Sequence, residues 1–311
     1  MSAKVIPGSS REALQFIAAH WAALLKMSLV PLLAYLVVMA VQIRSLATLY
    51  RSMGGMVAGQ TPGPEFFGAY MRGMALSMLG SIVAACLFGI LFAQIVRFRR
   101  SGFAPWIPAD KASLSAGLMT LVYGLGIAGL TLLFYIAAVL VFTIVVVIIA
   151  VLASAFGDAA NVIAAVLTFA GALALLASLL WFSGRYLVGL PGVALGSSPD
   201  FFKDMWPLAR GESWAVPLRL VAATLVVYVP IIIVFAVFMG PAWLDMMRQV
   251  ADPANAGNPN LVFPLMADML DHIFPASAVM ILFYMPFMWF TALLLAIAFE
   301  RFRARDQAAS A

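Results

Sequence analysis

Charge is scarce in this chain. Only 10% of its 311 residues are Asp, Glu, Lys or Arg, while 65% are hydrophobic. Soluble domains carry about 25% charged residues, so a water-facing surface cannot be clothed from this supply. Cysteine is represented by Cys86 alone, which excludes an internal disulfide and any cysteine metal cluster. His20 and His272 are the only histidines, too few for a zinc site of the usual kind, so no metal and no cofactor is expected. A Gly-x-Ser-x-Gly elbow, a His-Glu-x-x-His helix and a phosphate loop are also missing, so no catalytic residues are assigned.

What the chain has is long apolar runs, and its mean hydropathy is +1.05. They predict an all-α integral membrane helical bundle, residues 1–311 forming one six-span domain with no separate soluble domain. Ser9-Ser10-Arg11-Glu12 reads as a capping box, with Ser9 capping and Glu12 reaching back. Leu14, Ile17, Trp21 and Leu25 then share a helical face, which predicts an interfacial helix before a first span at Met27–Ile43. No small-residue cleavage site follows a short apolar core, so the segment is expected to stay attached.

Arg44 to Arg72 is read as a connection, with Pro64 placed to open the second span, about Met74 to Val96. Leu114 to Ala155 holds neither charge nor proline and is read as one long, tilted helix. The fourth span begins near Asn161, and its Ala164, Ala165, Ala170, Gly171 and Ala174 offer surfaces for close packing. The fifth runs from Leu218 to Met239 and the sixth from Ala276 to Phe299. Between them, Pro241–Val250 and Leu261–His272 are expected as short amphipathic helices on the membrane surface.

Lys and Arg are distributed unevenly over the connections. Six spans put fourteen of the eighteen on one side and leave Arg44, Arg51, Arg72 and Arg248 on the other. The positive-inside rule then places both termini in the cytoplasm. The net charge of +5 reads as attraction to anionic inner-leaflet lipids, and no soluble basic domain exists to hold nucleic acid. Gly124, Gly126 and Gly129 match a dinucleotide fingerprint letter for letter, but inside an apolar helix they are read as packing glycines.

The polar exception is Ser183–Leu220. Arg185 precedes an uncharged stretch, Tyr186–Gly196, that would place it within the bilayer if the fourth helix continued through Pro191. A buried cation in a membrane marks a functional site and calls for a partner, and Glu300 is the candidate by depth. Ser197-Ser198-Pro199-Asp200 reads as the start of a short helix lying flat and capped by serine. Trp206, Arg210 and Trp214 form an anchor at headgroup depth. Arg185, Arg210, Trp206 and Trp214 are therefore the lipid- or anion-binding candidates, under the roof of that flat helix.

Arg185, Pro191, Trp206, Arg210, Gly211 and Trp214 also carry a resemblance. The pattern resembles a group of bacterial inner-membrane proteins related to the membrane domain of some glycerophosphodiester phosphodiesterases. It covers about a tenth of the chain and has Ala209 where those proteins use Ser or Thr. The resemblance implies a multi-pass inner-membrane location. The catalytic domain has no counterpart among these residues, so the phosphodiesterase activity is not implied. The expected function is non-enzymatic: envelope organisation, lipid handling or assembly of a membrane complex, with membrane proteins or a second copy as partners. The alternative is a transporter or flippase for an anionic or lipid substrate.

Overall fold

The computed structural model describes residues 9–54, 63–102, 111–156, 158–208, 214–252 and 259–310. These are mostly helical, and no strand occurs among them. Six long helices carry the fold: α1 (Ser9–Gly54), α2 (Pro64–Ser101), α3 (Lys111–Phe156), α4 (Asp158–Leu187), α7 (Ala215–Ala251) and α8 (Pro259–Ser310). Between α4 and α7 lie α5 (Leu190–Ala194), a π-helical turn (Phe201–Met205) and the single turn α6 (Trp206–Leu208). Among the described residues, six helices are long and apolar enough to cross a membrane. At 46 residues, α3 reaches roughly 69 Å, well past a hydrocarbon core of about 30 Å.

The helices continue where hydropathy suggested loops. The expected connection after Ile43 is helical as far as Gly54, because Arg44–Arg51 contains no breaker and packs back on α8. Arg51 Nη2 lies 2.6 Å from Asp271 Oδ2 at this end. The two expected surface helices, Pro241–Val250 and Leu261–His272, are likewise the extended ends of α7 and α8. The N-terminal segment is a helix of its own direction, set off from the rest of α1 by a kink at His20 (φ −127°, ψ 19°), where Phe16, His20 and Phe98 cluster. Pro64 does open α2, and α3 is a single helix.

α1, α2 and α8 pack together as the centre of the molecule. Ala13, Leu24, Met27, Leu91, Ile95 and Leu293–Ala298 supply its buried core. One buried polar bond crosses it: Trp289 Nε1 donates to Ser28 Oγ at 2.8 Å, and Ser28 Oγ donates to the Leu24 carbonyl. α3 lies on α2 where Gly117 meets Ile90, and on α4 where Gly171 faces the Phe142 ring. A Cβ on Gly126 would come 2.7 Å from the Phe201 ring, whereas Gly124 and Gly129 face open space. Only the middle glycine of that run is a packing position. α7 lies on α8 and approaches α4 where Gly184 meets Pro217. Val226 is 73% exposed and Leu133 66%, so α7 and α3 turn apolar side chains outward, as helices facing lipid do.

Candidate functional site

The described residues between α4 and α7, 188–208 and 214, are gathered at the arginine-rich end of the bundle. Gly189 and Pro191 end α4 and restart the chain as α5, whose five residues are all buried. Here a side chain on Gly189 would run into Met205, and one on Gly192 would come 2.9 Å from the Phe299 ring. Gly196 (φ 93°) closes α5 in the left-handed region, with Ser197 N–H donating to Gly192 O at 3.0 Å and Gly196 N–H to Val193 O at 2.9 Å. Arg97 on α2 donates to the Ala194 carbonyl at 3.2 Å, a cation at the negative end of the helix.

The next turn is capped by Asp200, not by a serine. Asp200 Oδ1 accepts from the N–H groups of Phe202 (2.9 Å) and Lys203 (2.8 Å), and Asp204 Oδ2 accepts from Asp200 N–H at 2.7 Å. The aspartate wins because its ionised oxygen is the stronger acceptor for two unsatisfied donors. The N–H groups of Lys203 and Phe202 hold the Asp200 carboxyl below its ordinary 3.8. A depressed value means the cap is fully effective above the ordinary carboxylate range and is lost as pH falls through the folded value. Trp206 fluorescence should therefore change below about pH 4 in the wild type. Asp200→Asn keeps an acceptor without titrating and should flatten that transition; an identical acid transition in both proteins would remove Asp200 as its cause.

Phe201–Leu208 then lies as a roof over α3 and α4. Phe201 stacks on Tyr123 with ring centroids 5.2 Å apart. Met205 is buried against Gly189. Trp206 covers Arg185, whose Cζ is 4.0 Å from the Trp206 ring and 5.3 Å from Trp181. Tyr186 and Phe182 complete this aromatic surround. Arg185 is 9% exposed, and an arginine held between aromatic faces is stabilised where an ammonium would be less well matched. The far end of the roof is tied to α8 by Arg305, whose Nη2 donates to the Leu208 carbonyl at 3.0 Å.

Of the candidates read from the sequence, Arg185 and Trp206 are thus in direct contact. Trp214 is 41% exposed just ahead of α7, and Arg210 lies outside the described residues. Glu300 has a different neighbour from the one expected: its ion pair among the described residues is with Arg99, at 3.1 Å. Arg99 also meets Glu12 at 2.6 Å, and Glu12 meets Arg301 at 2.5 Å. Glu12 therefore joins α1 to α2 and α8. The acid is shared because three helix ends converge there, an arrangement no local spacing announces.

On the outer side of the roof is a crevice of about 370 Å³. Ser197, Ser198 and Asp204 line it from the roof side, with Leu208 and Met205 as apolar wall; Phe299 and Arg303 line it from α8. Arg303 is exposed and makes no ion pair among the described residues. It was missing from the sequence candidates because it lies in a run of arginines. The signal that singles it out is its spacing of four from Phe299, which puts both on one helix face. Arg185 does not line this crevice; it is on the inner side of the roof. No protein-family model matches the chain, and neither the curated proteins nor the solved structures hold a match to it.

Proposed function

We propose that this is a non-enzymatic bacterial inner-membrane protein that handles lipid, holding an anionic headgroup in the crevice between the roof and α8. The observation that carries the reading is the polarity of that crevice. Arg303 and the serine hydroxyls suit a phosphate, the Asp204 carboxylate suits headgroup hydroxyls, and Phe299, Met205 and Leu208 suit the start of an acyl chain. A guanidinium grips two phosphate oxygens at once. A glycerol headgroup fits this set better than choline, which has no hydroxyl to offer Asp204. The arginine-rich end faces the cytoplasm in this reading, by the positive-inside rule. Arg185 acts as the pin that holds Trp206, and through it the roof.

The test is native mass spectrometry of protein extracted in mild detergent, counting retained phosphatidylglycerol. Arg303→Gln should lower retention about tenfold, the effect of losing a charge-assisted contact. Arg100→Gln, at an exposed arginine of the same end, should leave it unchanged, and Arg185→Lys should shift melting without releasing lipid. Full retention by Arg303→Gln, or equal losses at Arg100 and Arg303, would rule out the crevice as the site.

A further inference from the structure

The middle of the bundle holds a second opening, lined by none of the crevice residues. Between α1, α2 and α8 lies a cavity of about 270 Å³. Protein interiors leave few voids larger than a water, and an apolar cavity of about 150 Å³ is already enough to bind benzene. No charged side chain lines this one. Its wall carries Met280, Met285 and Met288 from α8, flexible thioethers that adapt to irregular shapes. Its polar groups are Tyr35, Tyr284 and Ser277. Counting along α8 from Asp271, the span from Ser277 to Met288 lies about 9 to 26 Å in, within hydrocarbon depth.

The hydroxyls decide the chemistry. Tyr284 lines the cavity, and its hydroxyl interacts with that of Tyr228 on α7. Even where one hydroxyl donates to the other, such a pair still has one O–H to give, and lipid tails offer it no acceptor. Tyr284 is 39% exposed, so the cavity can be reached from the side, where lipid would be. Toward the arginine-rich end, the residue after Met288 is Trp289, which is buried and bonded to Ser28. We propose that this cavity binds an uncharged, lipid-soluble molecule with a carbonyl oxygen, its apolar body against the methionines and its oxygen accepting from the Tyr284–Tyr228 pair.

Benzophenone, an uncharged aromatic ketone that inserts into C–H bonds under light, is the probe. Full-length protein in phosphatidylcholine nanodiscs should label saturably on the peptide holding Met280, Met285 and Met288. Ser277→Phe, which fills the cavity, should abolish that label, with melting checked to confirm folding. Tyr284→Phe keeps the shape and removes the donor, so benzophenone should bind about fivefold more weakly, the effect of one hydrogen bond. Diphenylmethane, the same rings without the carbonyl, should compete poorly in the wild type and as well as benzophenone in Tyr284→Phe. Unsaturable labelling spread over α3 and α4, or an unchanged label in folded Ser277→Phe, would overturn the proposal. So would copper(I) retained by the purified protein and lost in Met285→Leu, since the methionines would then be metal ligands.

Discussion

Gly184→Val should destabilise the protein by about 3 kcal/mol or more, the upper range for forcing atoms into a packed contact. A Cβ at this position would run into the Pro217 ring, with Pro217 Cδ 2.8 Å away. The closed ring of proline cannot rotate aside as a flexible side chain would. The contact joins α4 to α7 just where Arg185 and the roof begin, so separating the helices should also loosen the Trp206 cover. Thermal unfolding in detergent, followed by dye labelling of Cys86, reads the effect; Cys86 is the single cysteine and is half-buried on α2. Gly129→Val is the control, because nothing lies within 4 Å of that position, and it should stay within about 0.5 kcal/mol. Equal melting of the two variants would mean that the α4–α7 approach contributes nothing.

Glu12→Gln should be the most damaging of the charge removals, at about 2 kcal/mol. Fully buried pairs cost more when one partner is lost, and this one is partly exposed. Glu12 answers two arginines from two other helices, and the Arg99 side chain is only 15% exposed. Glu300→Gln removes a single contact from a side chain that is 44% exposed and should cost under about 1 kcal/mol. Glu12→Gln combined with Arg301→Met should recover part of the loss, because the cation that loses its contact with Glu12 is then removed, while Arg99 keeps its contact with Glu300. A larger effect at Glu300 than at Glu12 would contradict this ranking.

Much of this was legible in the sequence, for reasons that also set its limit. Hydropathy reports transfer into lipid, so six spans and the single long α3 could be read directly. It does not report where a helix stops. Arg44 and Arg51 end an apolar run, yet they are sound helix formers, and α1 continues through them to meet Asp271 on α8. The aromatic setting of Arg185 was half visible. Trp206 and Arg185 could be singled out, but not their contact, because the chain between them makes two turns whose geometry rests on Gly189 and Gly196. The partner of Glu300 and the role of Arg303 needed the registry of α8 against α1, α2 and the roof. Many registries satisfy the same hydrophobic pattern, and the pattern alone does not choose among them.

The lipid reading depends above all on which side of the membrane the arginine-rich end occupies. Single cysteines in a Cys86→Ala background, tested with an impermeant thiol reagent outside intact cells, answer this directly. Asp158→Cys, at the start of α4, and Asn255→Cys, between α7 and α8 in the chain, should label. Ser101→Cys, at the end of α2, and Ala308→Cys, near the end of α8, should label only after the membrane is opened. Labelling of Ser101→Cys in intact cells as readily as Asn255→Cys would contradict the account, since the roof and its crevice would then face away from the cytoplasm.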